Sequence, residues 1–431
     1  MDLARLRWVG LAALLLVLVG GGCKRPGPPP PRSSIDSASH AAAPSAQAHA
    51  AATHDKGVSL TARAPDGFYD PPADVPHRPG KLLRSEPLKD VTLPAGMQGW
   101  RILYTTTIDD RTPATAVATV FAPAELPAGP RPVITWAHGT MGVLQKCMPS
   151  LLSVPTLGLP AQDRIVAAGW VVVATDYSFA EKDGPHPYLI GEAEARAALD
   201  SVRAARQMPE LKLDTRTVVW GHSQGGQAAL WTGIVGARYA PDVEILGIAA
   251  IAPAADVKNI LAMTLAADKG LGPYLALSYS RFYPDITFKQ AVRPEAFEAA
   301  RRMVNLCMVV PEEDSQKLAA YSETFYGPAL ATSTNKALAA RLEQNAANDA
   351  IAVPLVIAQG LTDKIVPPPA TDAYIDERCA AGQRLEYWTF ARRDHVSILQ
   401  PRSPLEEPLV AWTAARFARE PQADRCARKP F

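Results

Sequence analysis

The sequence predicts an α/β fold, with a mostly parallel sheet, helices on both faces and a helical cap insertion. Three observations lead to this prediction. Short segments rich in Val and Ile alternate with helical segments between about residues 132 and 251. The alternation stops for about a hundred residues and then resumes near residue 354. Apolar residues make up 48% of the 431, which is enough to bury a sizeable core.

The predicted elements follow from residue type and spacing. Residues 170–174 contain three consecutive valines, as expected of a buried parallel strand. In the predicted helix 191–207, Ala195, Leu199 and Val202 share one face. The predicted strands are 100–108, 114–121, 132–137, 170–174, 215–220, 245–251, 354–358 and 385–390. The predicted helices are 162–168, 191–207, 224–235, 369–379 and 411–419.

The long interruption of this rhythm defines the expected domain organisation. Residues 253–352 are rich in Ala, Tyr and Met with helical spacing, and they are too many for a simple connection. We therefore expect them to form a helical cap or lid inserted into an α/β core made of residues 58–252 and 353–431.

The N-terminus predicts export. A basic start with Arg5 and Arg7 precedes an apolar run that is too short to span a membrane, so residues 1–22 are expected to be a signal peptide. Small residues directly before Cys23 resemble the lipobox of bacterial lipoproteins, which predicts lipidation of Cys23 and a membrane anchor in the bacterial cell envelope. The alternative is an ordinary secretory signal. Residues 23–57, rich in Pro and Ala, are expected to be a disordered tether.

Charge and motif content exclude several classes of function. The chain has 44 Lys and Arg against 43 Asp and Glu, a net charge of +1, so it has no basic footprint for nucleic acid. It contains no phosphate-binding loop, no dinucleotide-binding glycine motif and no Cys/His cluster with zinc-ligand spacing. We expect no cofactor, no metal and no nucleic-acid partner.

Six residues, 221–226, have the sequence Gly-His-Ser-Gln-Gly-Gly between a predicted strand and a predicted helix. This context is typical of a nucleophile elbow, in which Ser223 sits on a strained turn and projects its hydroxyl above the sheet. Glycines on both sides allow the neighbouring backbone to approach closely. The alternative is a glycine-rich turn that contains a serine by chance.

A serine nucleophile requires a general base and an acid that orients it. The folded part contains five histidines: His77, His138, His186, His222 and His395. The chain order serine, acid, histidine selects His395, which follows the last predicted strand. Asp363, just after the strand 354–358, is the expected acid. Asp256 is its rival after the preceding strand, and Asp394 is discounted because it is adjacent to His395.

The remaining site residues lie at the carboxyl ends of neighbouring strands. The backbone N–H groups of Thr140 and Gln224 are the expected oxyanion donors, and Gly139, beside Thr140, is expected to contribute to substrate binding. Asp176 and Tyr177 are candidates either for substrate binding or for fixing their own loop.

Four cysteines remain besides Cys23: Cys147, Cys307, Cys379 and Cys426. An even number in an exported chain predicts two disulfides, and the spacing alone leaves three pairings open.

The chain resembles the secretory lipases of the α/β-hydrolase superfamily, the group that includes the fungal lipase A type, over about residues 68–426. The resemblance is carried by residues 79–85, by Trp136 to Thr140, by Ala174 to Tyr177, by Gly221 to Gly226, by Gly360 to Asp363 and by Asp394-His395. It implies an α/β-hydrolase fold and the roles of nucleophile, acid and base for Ser223, Asp363 and His395. It also implies the disulfides Cys147–Cys307 and Cys379–Cys426.

These observations predict a serine carboxylic-ester hydrolase, a lipase or esterase that acts on lipid or other small apolar acyl esters. Three alternatives remain. The first is acyl transfer with the same residues, since the sequence does not report what excludes water. The other two are a peptidase and an inert binding protein on the same scaffold.

Overall fold

The computed structural model describes residues 60–181, 184–422 and 425–431. The expected signal peptide (1–22), the lipidated Cys23 and the tether (23–57) lie outside the described residues. Within those ranges, no helix is both long and apolar enough to cross a bilayer.

In the described part of the chain, ten strands form one mixed sheet in the order β1-β2-β3-β5-β4-β6-β7-β8-β9-β10. The first three strands are antiparallel to their neighbours, and every pair from β5 to β10 is parallel. The strands are β1 (Leu82–Pro87), β2 (Met97–Thr107), β3 (Pro113–Pro123), β4 (Arg131–Ala137), β5 (Val171–Phe179), β6 (Leu213–His222), β7 (Glu244–Ile251), β8 (Leu355–Gly360), β9 (Glu386–Phe390) and β10 (Ala427–Pro430).

Eleven α-helices lie in the described ranges. They are α1 (Gln162–Ala168), α2 (Gly191–Ala205), α3 (Gln224–Tyr239), α4 (Val257–Met263), α5 (Leu265–Phe282), α6 (Phe288–Ala291), α7 (Phe297–Met303), α8 (Glu312–Ser322), α9 (Lys336–Gln344), α10 (Pro368–Ala380) and α11 (Glu406–Phe417). The fold is the α/β-hydrolase fold that the sequence predicted.

Helices cover both faces of the parallel part of the sheet because alternate strand residues point to opposite sides. On one face, Trp136 and Trp220 pack in a cluster with residues of α1 and α11. On the other, Val133 and Val173 pack with α2. The tryptophan on β6 is fully buried, and its indole Nε1 donates a hydrogen bond to Thr413 Oγ1 of α11 (3.0 Å).

Six helices, α4 to α9, occupy the segment between β7 and β8. They share an apolar cluster with the turn that precedes α2. Two hydrogen bonds fix α5 to that turn. Ser278 Oγ donates to the carbonyl of Tyr188 (3.2 Å), and Tyr279 Oη donates to the carbonyl of Leu189 (3.1 Å). The helical segment is therefore fastened directly to the chain at the carboxyl edge of the sheet.

Two disulfides join distant parts of the chain, with the pairing that the family resemblance implied. Cys147–Cys307 ties the loop after β4 to the chain after α7, across 160 residues. Cys379–Cys426 ties the end of α10 to the start of β10, across 47 residues. The first is buried, whereas both cysteines of the second are half-buried.

The edge strands β1 and β10 were absent from the sequence prediction. Leu82–Pro87 contains Arg84 and Glu86 with no buried position, and Ala427–Pro430 is mostly exposed. Neither segment has the apolar alternation that identifies a strand. Strand β5 also extends farther than expected, to Phe179, so Asp176 and Tyr177 lie within the strand.

We predict that the two disulfides contribute unequally to stability. Replacing Cys147 and Cys307 together by Ala should lower the free energy of unfolding more than replacing Cys379 and Cys426. Chain entropy allows at most about 5 kcal/mol for the longer loop and about 4 kcal/mol for the shorter one. The first pair also loses buried contacts. Guanidinium unfolding of both double variants measures the difference, and an equal or inverted loss would contradict it.

Candidate active site

Ser223 occupies the turn between β6 and α3 with φ 57° and ψ −115°, a strained conformation for a residue with a side chain. Its backbone N–H donates to the carbonyl of Ile251 (2.9 Å). A Cβ on Gly221 would overlap the carbonyl of Gly225, and a Cβ on Gly225 would overlap the carbonyl of Ala137. The glycines therefore make the sharp turn sterically feasible, as the sequence argument required.

Three predicted side chains meet at the carboxyl edge of the sheet. Ser223 Oγ lies 2.9 Å from His395 Nε2, and His395 Nδ1 lies 2.7 Å from Asp363 Oδ2. These residues follow β6, β9 and β8, whose parallel alignment brings their ends together. All three are buried.

Asp363 accepts hydrogen bonds at both of its carboxylate oxygens. Oδ1 accepts the backbone N–H groups of Ile365 and Val366 (2.8 Å each), and Oδ2 accepts Gln359 Nε2 (3.1 Å). The acceptor at Oδ2 assigns the proton of His395 to Nδ1, which leaves Nε2 free to accept the hydroxyl proton of Ser223.

The other histidines do not reach the Ser223 hydroxyl. His77 is exposed. Burial lowers the pKa of His138 to about 4 and that of His186 to about 3, so both are neutral near pH 7. His222 Nε2 lies 2.8 Å from the carbonyl oxygen of His395, which places it against the backbone of the candidate base.

The rival carboxylates are engaged elsewhere. Asp256 caps α4 by accepting the N–H of Asn259 (3.0 Å). Asp394 is exposed and accepts the N–H groups of Val396 and Ser397. In the part of the chain that the structure describes, no three His, Cys, Asp or Glu side chains are arranged to hold a metal ion.

Thr140 and Gln224, the expected oxyanion donors, both line the cavity next to Ser223. Thr140 Oγ1 lies 2.9 Å from the hydroxyl of Tyr188, another lining residue. Gln224 is the first residue of α3, so its N–H is one of the unsatisfied donors at a helix N-terminus. The side chain of Gln224 hydrogen-bonds the buried carboxyl of Glu194 and lies 2.9 Å from His186 Nε2.

Asp176 and Tyr177 are bound within the protein rather than at the cavity. Asp176 accepts hydrogen bonds from the N–H and the hydroxyl of Ser150, and burial raises its pKa to about 7. Tyr177 Oη donates to the carbonyl of His138 (2.7 Å). Gly139 lies against His222, because a Cβ there would be 2.8 Å from Nδ1. The contacts of Asp176 and Tyr177 favour the alternative in which these two residues fix their own loop.

A small cavity adjoins Ser223. Its walls are aliphatic apart from Ser223 itself, Thr140, Tyr188 and Gln224. On α5, Ala267, Leu271 and Leu275 follow each other at intervals of four residues and so form one stripe along the cavity. The remaining lining residues are Leu189, Ala254, Val257, Ile260, Leu261, Ile365 and Val366.

The sequence analysis did not single out a buried polar cluster beside this cavity. Glu194 and His186 are fully buried and both contact the side chain of Gln224. Residues 194, 198, 201 and 205 share one helical face of α2, and the residues that accompany Glu194 there are Ala198, Ser201 and Ala205. A lone carboxylate on a face of small uncharged residues is the signal that could have identified Glu194.

Comparison with known proteins identifies the family of this chain. Residues 161–425 match the family model described as secretory lipase. A probable inactive lipase of Mycobacterium tuberculosis is 27% identical over 404 residues, covering 84% of each chain. Lipase 10 of Candida albicans is 25% identical over 414 residues, covering 86% of this chain and 84% of that relative.

Solved structures share the fold. Candida antarctica lipase A in its closed state superposes with a TM-score of 0.67 at 18% identity, covering 85% of this chain and 89% of that one. The rice cell wall degrading esterase LipA from Xanthomonas oryzae gives a TM-score of 0.58 at 18% identity, covering 79% of this chain and 98% of that one. The family match extends over more than half of the sequence and includes the elbow. The chain therefore belongs to the secretory lipase family.

Proposed function

We propose that this protein is a serine carboxylic-ester hydrolase with Ser223, His395 and Asp363 as its catalytic triad. The observation that carries the proposal is the unbroken hydrogen-bond chain from Ser223 Oγ through His395 to Asp363, beside an aliphatic cavity. One relative is named as probably inactive. The intact chain of contacts in this protein supports activity.

In the proposed mechanism, His395 Nε2 takes the hydroxyl proton as Ser223 Oγ attacks the ester carbonyl. Asp363 holds the imidazole ring and stabilises the imidazolium that forms. The N–H groups of Thr140 and Gln224 bind the developing oxyanion, and such a donor contributes about 2.7–4 kcal/mol to lowering the barrier. His395 then protonates the leaving alcohol. In deacylation His395 takes a proton from the water that attacks the acyl carbonyl, and it returns that proton to Ser223 Oγ as the carboxylic acid leaves.

The mostly aliphatic lining of the cavity supports an apolar acyl group as the part of the substrate that binds beside Ser223. We propose that residues 253–352 act as a cap, because α4 and α5 supply six of the fourteen residues that line the cavity. We also propose export and anchoring through Cys23, which rest on the N-terminal sequence alone.

We predict that Ser223→Ala lowers kcat for p-nitrophenyl esters by about 10³-fold or more, because the nucleophile is lost. The matched control is Ser201→Ala, a buried serine of α2 whose hydroxyl donates to the carbonyl of Ala198. Hydrolysis that persists in the Ser223 variant would refute the proposal.

A separate experiment distinguishes hydrolysis from acyl transfer. An alcohol acceptor is added to the reaction of the wild-type enzyme, and the products are analysed for the transferred acyl group.

We predict that Asp363→Asn lowers kcat by about 10⁴-fold, because an amide at this position favours the wrong tautomer of His395. Asp256→Asn is the control, since asparagine preserves the cap of α4 and the side chain does not contact His395. A large loss of kcat in the Asp256 variant with a small one in the Asp363 variant would reverse the assignment of the acid.

We predict that Leu271→Trp shifts the acyl preference toward shorter esters and that Leu271→Ala shifts it toward longer ones, because Leu271 forms part of the cavity wall. The kcat/KM values over a series of p-nitrophenyl acyl esters measure the shift. Leu277→Ala provides the control, as this leucine is also half-buried on α5 but does not line the cavity. An unchanged profile in both Leu271 variants would place the acyl group elsewhere.

A further inference from the structure

Glu194 is a fully buried carboxyl at the junction of the two segments that flank the nucleophile. Its Oε1 accepts the backbone N–H of Leu189 (3.0 Å) and the side-chain Nε2 of Gln224 (2.7 Å). Leu189 is a cavity wall residue with φ 56°, and Gln224 follows the nucleophile directly. Glu194 Oε1 therefore connects the cavity wall at Leu189 with the residue that follows the nucleophile.

Three polar atoms of this junction have no hydrogen-bond partner although they are buried: Glu194 Oε2, Gln224 Oε1 and His186 Nδ1. In an ionised carboxyl, Oε2 would be a buried acceptor that no donor reaches, which is costly. A proton on Oε2 removes that charge, while Oε1 keeps its contacts with Leu189 and Gln224.

We propose that Glu194 is a positioning residue that works as a neutral, protonated carboxyl, pairing with the Gln224 side chain to hold the proposed oxyanion donors in place. The inference rests on the proposed function of the Gln224 and Thr140 N–H groups. The positioning effect extends to Thr140, because the hydroxyl of Tyr188, adjacent to Leu189, is hydrogen-bonded to the hydroxyl of Thr140.

Burial supports the neutral form. It raises the pKa of Glu194 to about 8, against the smaller opposing effect of the hydrogen bonds from Gln224 and Leu189. A buried carboxylate without a cationic partner is costly, and His186, 4.0 Å away, is kept neutral because its own burial lowers its pKa to about 3.

Among the residues that the structure describes, no other titratable group that faces Glu194 changes charge between pH 7 and pH 9.5. These groups are His186 from the preceding loop, Tyr177 from β5, Tyr188 from the turn and Tyr279 from α5. Burial raises the pKa of each of these tyrosines well above its usual value. A change of activity in that interval that depends on residue 194 therefore reports the proton on Glu194.

The first test compares the pH profile of kcat in wild type and in Glu194→Gln, whose amide reproduces the protonated carboxyl. In wild type, kcat should fall about tenfold between pH 7 and pH 9.5 as Glu194 ionises, with little change in KM, because oxyanion stabilisation acts in the transition state. The glutamine variant should stay within about twofold over that interval. Glu194→Met, which cannot form the pair, should lose kcat at every pH.

The matched control is Glu192→Gln, two residues earlier on α2. It makes the same change of residue type, but Glu192 is half-buried and pairs with Arg196 and Arg238 rather than with the site. Its pH profile should equal that of wild type. The proposal is overturned if Glu194→Gln keeps the alkaline fall of wild type. It is also overturned if that variant folds and yet loses more than about 100-fold in kcat at pH 7, which would mean that the ionised form is required.

A second readout does not depend on enzyme activity. The raised pKa predicts a stability contribution that is complete below the ordinary glutamate pKa of 4.5 and lost as pH rises toward 8. Chemical unfolding should therefore show wild type losing stability relative to Glu194→Gln across that window. If esters prove not to be substrates, this measurement still decides the protonation state. A constant stability difference across the window would refute it.

Discussion

The close packing around Ser223 is the constraint on which the rest of the site depends. The turn tolerates φ 57° only because α3 presses against the end of β4, with Gly225 touching the carbonyl of Ala137. That contact needs β4 and β6 to be neighbours, as the sheet order provides. It also brings the loop after β4, with Thr140, alongside the N-terminus of α3. The strained nucleophile and the two proposed oxyanion donors are thus consequences of one packing arrangement.

Much of this arrangement could be predicted because it is local in sequence. The valine-rich strands, the glycines around Ser223 and the order serine, acid, histidine all follow from short patterns. The edge strand β1 could not, because one exposed face and charged residues such as Arg84 remove the apolar alternation. The junction at Glu194 could not either, because the side chain of Gln224 reaches it only after two helices and a strained turn pack together.

Buried polar groups around the cavity are arranged in two contrasting ways. Asp363 contacts four N–H donors, from Gln359, Ile365, Val366 and His395, and they reach both of its oxygens. Glu194 receives two donors on one oxygen and none on the other, and burial of this unevenly contacted carboxyl favours its neutral form.

The two hydrogen bonds from α5 to the turn at residues 188–189 have a consequence for selectivity. Ser278 and Tyr279 hold the carbonyls of the residues that also line the cavity and contact Thr140. Under the proposed function, an acyl chain large enough to displace α5 would strain those two hydrogen bonds and, through Tyr188, the loop of Thr140. The fit of the acyl group and the position of a proposed oxyanion donor are then coupled through one short turn, so that a poorly fitting group is selected against in the rate of reaction as well as in binding.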